Sequence, residues 1–156
     1  GDVFYKKTII SDVFDGNNFK KVHVLYGNTR VVYPHQQRIQ QAKSITDINR
    51  GSIFCHQSSF VNTKLCKQHI FNTKNRLGAD FEFFYQAYQR KNFFKYIDIE
   101  IASVSSGGVS DVKRIETINS WWKVVDRTFL LDLYFFNKII ATTSAANANN
   151  HNGRIK

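Results

Sequence analysis

The residues best suited to chemistry lie in Phe54-Cys55-His56-Gln57-Ser58-Ser59-Phe60 and, downstream, in Leu77-Gly78-Ala79-Asp80-Phe81-Glu82-Phe83-Phe84. The first segment runs from apolar residues into a polar His-Gln turn. The second opens a helix on an isolated carboxylate, Asp80, behind a glycine. A single acid at the mouth of a pocket can accept a proton from a bound hydroxyl, which is what one-base chemistry needs. Asp80 has a plainer role as well, that of N-cap to the helix it opens. The two roles compete, because a carboxylate bonded to helix amides is a weaker base. Glu82, in the same first turn, suits the helix dipole. His56 has its own plainer role, since a histidine beside a buried strand more often satisfies a structural hydrogen bond.

The elements that must position these groups follow from periodicity and turn chemistry. Gly1-Asp2-Val3-Phe4-Tyr5 reads as the exit of a loop, and Thr8 to Phe14 as a short helix with Ile9, Ile10, Val13 and Phe14 apolar. Asp15-Gly16-Asn17-Asn18 is a turn. Val22 to Tyr26 reads as a strand, which Gly27-Asn28 turns into Thr29 to Tyr33, the second arm of a hairpin ended by Pro34. Gln36 to Arg50 is polar and predicts loop or short helical turns. Ile53 to Cys55 predicts a short buried strand, and Thr63 to Ile70 a short helix capped by Asn62 or Thr63. Asp80 to Lys91 predicts a helix whose Phe84, Tyr85 and Tyr88 face the core.

Strands are then predicted over Phe93 to Asp98 and Ile99 to Val104, with the first able to run straight into the second. Ser105-Ser106-Gly107-Gly108 is a loop, with Gly107 and Gly108 able to form a turn or a loop over a site. Ser110 and Asp111 suit the cap of a long helix over 111–140, with a break allowed near Arg127-Thr128. Ala141 to Lys156 lacks periodicity and predicts a frayed polar tail. Alternating strands and helices on one short chain suggest an α/β layer fold.

Composition narrows the class. A chain of 156 residues with 42% hydrophobic and 15% aromatic residues has ample core material for one domain. Its two cysteines, Cys55 and Cys66, have no metal spacing and are expected as buried thiols, with a single disulfide as the alternative. No apolar run reaches the ~20 residues of a membrane span and no signal peptide opens the chain, so a soluble, cytoplasmic protein is expected. The net charge of +10 is concentrated in one region. Between Lys20 and Arg76 ten basic residues face one acid, Asp47, whereas from Ala79 onward ten basic residues meet eight acids. Such a field attracts phosphates of a nucleotide, a nucleic acid or a membrane, or simply forms a soluble basic face.

Four segments in order carry a family resemblance. They are Cys55-His56-Gln57-Ser58-Ser59-Phe60-Val61, Gly78-Ala79-Asp80-Phe81-Glu82-Phe83, Phe94-Lys95-Tyr96-Ile97-Asp98 and Gly107-Gly108-Val109-Ser110. Together they resemble the second half of family-two glycosyltransferases, in the subgroup of bacterial surface-polysaccharide synthesis. Gly1-Asp2 matches the end of that group's Asn-x-Gly-Asp segment, which stands where relatives carry the Asp-x-Asp metal motif. Val24-Leu25-Tyr26-Gly27-Asn28 resembles its following strand, which usually ends Tyr-Gly-Asp; Asn28 departs from that pattern. The resemblance extends from Gly1 to about Trp122.

The resemblance implies a GT-A fold, a mixed sheet flanked by helices, entered here without its N-terminal nucleotide-binding strands. Residues 1–140 would form the acceptor-side part, and the chain alone would be inactive. It implies sugar transfer from a nucleotide-sugar donor to a saccharide or lipid-linked acceptor, with inversion. Asp80 would be the base and Asp2 the ligand of a divalent cation, Mg2+ or Mn2+. That cation is expected in the complete enzyme and not on this chain alone. His56, Gln57, Gly107 and Gly108 would contact the acceptor or the diphosphate.

Trp121 and Trp122, on a helix with Lys113, Arg114, Lys123, Arg127 and Lys138, allow peripheral contact with an anionic membrane, against the plainer reading of domain packing. A rival class is a basic nucleic-acid-binding module, and a further one an inactive structural fragment. Zinc-finger spacing, an RNA-recognition strand signature and a GXXG loop are all missing, so nucleic acid is not the expected partner.

Overall fold

The computed structural model describes residues 2–125, whose strands form one open, mixed, five-stranded sheet flanked by helices. In chain order the elements are β1 (Val3–Phe4), α1 (Ile9–Phe14), β2 (Val24–Val32), β3 (Gln37–Gln40), 3-10 turns at Ile45–Arg50 and His56–Ser58, β4 (Ser59–Val61), α2 (Thr63–Gln68), α3 (Ala79–Gln89), β5 (Phe94–Ser105), α4 (Val109–Val112) and α5 (Arg114–Val125). The sheet order is β1-β5-β2-β3, with β4 also paired to β2. β2 and β5 run parallel; the other pairings are antiparallel.

Both faces of the sheet are covered because successive side chains of a strand point opposite ways. Leu25 and Ile101 meet Ile9 and Val13 of α1 in one buried cluster, with Phe19, Phe60, Ile97 and Ile99 packed around it. The neighbouring Tyr26 stacks on Phe54 with centroids 4.6 Å apart, and Phe54 meets Phe84 of α3 edge-on at 4.9 Å. α3 is held on two further sides, Phe83 stacking on Phe71 at 4.7 Å and Phe81 packing on Trp121 of α5 at 5.4 Å. Its buried residues are therefore Phe81, Phe83, Phe84 and Ala87, while Tyr85 and Tyr88, expected in the core, are half-buried. The helix stops before Lys91, which takes a left-handed φ of 59°.

The predicted hairpin at Gly27-Asn28 is corrected. β2 passes straight through these residues, and Gly27 has no positive φ of the kind such a turn requires. The glycine is there for space: a Cβ on Gly27 would lie 2.6 Å from the Ile99 carbonyl oxygen and 2.9 Å from Ile101 Cδ1. The β2–β5 register shifts at the same place, between Tyr26 and Asn28. The hairpin lies later, its arms β2 and β3 joined through Tyr33–Gln36, with Tyr33 N–H donating to Gln36 O at 2.8 Å. Gln37–Gln40, expected to be loop or helical turn, is thus a strand.

Other expectations shift by a few residues. Ile53 and Phe54 are buried but form no strand; the short strand is β4, which pairs with Val24–Tyr26. Val3–Phe4, expected as loop, pairs with β5, and the two strands predicted over 93–104 are one. Of the two expected caps of α2, Asn62 is the one used, accepting from Lys64 N–H at 2.9 Å. The long helix is interrupted at Lys113, and its cap is Gly108, because the Asp111 carboxylate turns back to the Gly107 N–H at 3.0 Å. Residues 126–156, including the rest of that helix and the tail, lie outside the described residues. Both cysteines are free thiols, and Cys66 is exposed, since the short α2 buries Leu65 and turns Cys66 outward.

The Asn28 side chain is held in a buried polar network. It is 4% exposed, accepts from Ala42 N–H at 3.0 Å and donates from Nδ2 to Asp98 Oδ1 at 2.8 Å. An aspartate there would set a second carboxylate against Asp98 in a buried position. Asn28→Asp is expected to cost about 2 kcal/mol at neutral pH. The loss should shrink as pH falls and one of the two acids protonates, which urea unfolding at pH 5 and pH 7.5 would measure. An equal loss at both values would show that the two carboxylates do not meet.

Candidate functional site

The candidate residues are brought into place by β1, a 3-10 turn, the start of α3 and the loop after β5. β1 lies along β5 with Val3 opposite Ser103, and Arg30 holds Tyr5, the residue that follows it. The Arg30 guanidinium pairs with Glu100 at 2.8 Å, reaches the Tyr5 hydroxyl at 3.1 Å and sits 4.5 Å from the Tyr5 ring centroid. That anchorage holds Asp2, exposed at the sheet edge, where its Oδ2 accepts from Gln57 Nε2 at 2.8 Å. Gln57 belongs to the 3-10 turn His56–Ser58. The turn is tied to β2 by the buried Thr29 hydroxyl, which donates to Ser58 Oγ at 2.7 Å. The Cys55 thiol donates to Gln57 Oε1 at 2.7 Å, so that side chain is held at both ends.

Asp80 stands in the first turn of α3, behind Gly78, which occupies the cap position. It does not cap the helix in the usual way: its Oδ1 accepts the N–H of its own neighbour, Phe81, at 2.7 Å. Its Oδ2 accepts from His56 Nδ1 at 2.8 Å. Partial burial pushes the Asp80 carboxyl up, but the His56 hydrogen bond, the Phe81 N–H and the His56 charge outweigh it and hold the group below its ordinary value of 3.8. His56 is moved the other way, above 6.5, first by its bond to Asp80, against the pull of burial and with help from the charges of Asp80 and Asp2.

The signs fix when this pair contributes to stability. The His56 contribution is present below about pH 6.5 and is lost as pH rises through its elevated folded value. The Asp80 contribution is present above about pH 3.8 and is lost as pH falls through its depressed folded value. With the side chains 52% and 40% exposed, water screens the pair, which contributes at most about 1 kcal/mol within that window. It orders the site more than it stabilises the fold.

Asp2, His56, Gln57, Asp80 and Gly108 line one cleft of about 430 Å³. Gly107 is set apart from these five. It turns the chain out of β5 with a φ of 85° and does not line the cleft. The cleft also contains residues not singled out as site groups from the sequence, notably Arg114, Trp121 and Cys55. Arg114 is exposed and lies 5.9 Å from the Trp121 ring, so a cation faces the same space as the acids. A basic residue opening the helix after the Gly107-Gly108 turn was the available signal. Trp121, considered for membrane contact, is half-buried on Phe81 and against Gly51, and forms a wall of the cleft.

The donor set for a metal is sparse. Among the described residues no group of three or more His, Cys, Asp or Glu side chains converges as metal ligands. Of the cleft's acids, Asp80 is bound to His56 and Asp111 to the Gly107 amide. Asp2 alone, with one oxygen engaged by Gln57, fits only a cation that arrives already held by phosphate oxygens, as Mg2+ commonly is. Among the described residues no helix is long and apolar enough to cross a membrane.

Comparison of the chain with protein-family models, with curated proteins and with solved structures finds no match.

Proposed function

We propose that this chain is the acceptor-side portion of a GT-A-type glycosyltransferase acting in polysaccharide assembly, with Asp80 as the base. One observation carries the reading. An ionised carboxylate, oriented by His56 and open to a 430 Å³ cleft, shares that cleft with Asp2, Gln57, Gly108 and the cation Arg114. Three of the four sequence segments support it by contributing to the same cleft, through Cys55, His56 and Gln57, through Asp80, and through Gly108, Val109 and Ser110.

A sugar hydroxyl is a poor nucleophile and must lose its proton as it attacks. In this reading the acceptor oxygen forms a bond to the anomeric carbon of the donor while its proton passes to Asp80 Oδ2. The bond from that carbon to the nucleoside diphosphate breaks on the opposite side, which inverts the centre. The leaving oxygen carries the electron pair, and Arg114 offsets its charge. A divalent cation, Mg2+ or Mn2+, supplies further charge neutralisation when bound, with Asp2 as its protein ligand.

His56 tunes the base. While protonated it holds Asp80 ionised but makes it weaker; once neutral, it leaves a more basic carboxylate. Transfer is therefore expected to rise as pH climbs through the His56 titration, which lies above 6.5. In His56→Gln that rise should disappear from the kcat profile. A rise of unchanged position in the variant would assign the titration to another group. The reading itself is tested by nucleoside diphosphate release from a panel of nucleotide sugars, with saccharide acceptors, by the full-length parent protein. Absence of both transfer and hydrolysis, together with tight salt-sensitive binding of an oligonucleotide, would replace it with the nucleic-acid reading.

A further inference from the structure

A second, larger hollow lies on the other flank of α3. Asp80 and Glu82 are two positions apart, so they project about 200° apart around the helix. Asp80 meets the cleft described above, and Glu82 lines a groove of about 800 Å³ bounded by α3, α5 and the segment around Asn72–Asn75. This volume falls within the ~300–1,000 Å³ range of ligand sites.

The groove has an ordered polar wall. The Glu82 carboxylate accepts amide N–H groups from Asn72 at 3.1 and 3.2 Å, from Asn75 at 2.9 Å and from Gln86 at 3.3 Å. One acid thus fixes three planar amides. Asn72 spends its carbonyl on the Lys74 N–H, whereas Asn75 and Gln86 keep side-chain carbonyls that no donor reaches among the described residues. Tyr85 lines the groove beside them and is backed by Phe81, its ring stacked at 5.9 Å.

Fixed amides that donate and accept, beside an aromatic ring, match a ligand dense in hydroxyls with an apolar C–H face. That is a sugar chain. The charges refine the choice: Lys74, Arg90 and Lys123 line the groove against Glu82 and Glu116, and Glu82 is already surrounded by amide N–H groups. The polar groups here are side-chain amides, unlike the backbone N–H cradle that phosphate takes at a helix start.

We propose that the groove between α3 and α5 binds an oligosaccharide bearing carboxylate groups, at a site separate from the Asp80 cleft. The inference does not depend on the transferase reading, because it concerns binding alone. The probe is a hexamer of galacturonate, titrated into the chain and followed by calorimetry, with maltohexaose as the neutral comparison. The galacturonate hexamer should bind, and the paired variant Gln86→Ala, Lys123→Ala, both exposed positions, should weaken it about tenfold, or 1.4 kcal/mol. Asp80→Asn should leave its affinity unchanged, and maltohexaose should bind more weakly. No binding by the folded chain, an unchanged affinity in the paired variant, or equal affinity for maltohexaose would overturn the proposal. Because Asp80→Asn is expected to lower transfer and to leave this affinity unchanged, the failure of either reading can be told from that of the other.

Discussion

Asp80→Asn is expected, on the proposed transferase reading, to lower transfer by about 10²- to 10⁴-fold, the usual contribution of a positioned general base. The substitution keeps the volume and one acceptor oxygen, which can still satisfy Phe81 N–H, and places an amide NH2 where the other oxygen faces His56. It removes the negative charge that raises His56 and that, in the proposed reaction, would take the acceptor proton. Two readouts separate chemistry from folding. The thermal midpoint should move little, because the pair is roughly half exposed and contributes at most about 1 kcal/mol. The His56 titration, followed by NMR of the ring, should fall back toward its ordinary 6.5. A variant that transfers within threefold of the parent would remove Asp80 from the chemistry and leave it a partner of His56 alone.

Gly27→Ala is expected to destabilise the chain by about 2–3 kcal/mol. Added methyl groups in cores are tolerated when the neighbour can turn away, but here the nearest neighbour is backbone. The Ile99 carbonyl oxygen would lie 2.6 Å from the new Cβ, and Ile101, which is fully buried in the α1-side core, would be pressed from 2.9 Å. Relief requires β2 and β5 to separate where their register already shifts. The reduced freedom of alanine in the unfolded chain returns only about 0.4–1 kcal/mol. Urea unfolding with an unchanged slope and a lowered midpoint is the expected result. A loss below 0.5 kcal/mol would mean that this close approach does not constrain the sheet.

The two variants also separate what local chemistry can express from what it cannot. Gly27-Asn28 looks like a hairpin turn because glycine and asparagine tolerate left-handed backbone. In the fold the same glycine is needed because another strand passes close by, a fact set by residues about seventy positions downstream. Spacing along the chain contains no term for that approach. The shortness of β4 and β3 has the same origin: three- and four-residue strands are defined by their partner β2, with too few residues to show a period of their own. Cys66 shows the reverse error, since an apolar residue type was read as buried although its brief helix buries a single face.

The candidate site was legible to a different degree. Asp80, His56 and Gln57 were marked by residue type, since a lone carboxylate in a first helical turn and a polar turn after an apolar run are local signals. Arg114 and Trp121 were not recognised as site groups, because helical periodicity accounts for them equally well as surface charge and packing. The amino-acid sequence by itself determined the α/β class, the places of α1, α2 and α3, a cap of α2 and the types of the reactive groups, all of which depend on neighbours a few residues apart. Only the tertiary structure decided that Asp2, Gln57, His56 and Asp80 share one cleft and that Glu82 organises another. Those contacts join residues 24 to 55 positions apart or opposite sides of one helix, and their geometry is set by how β1, β2 and α3 pack.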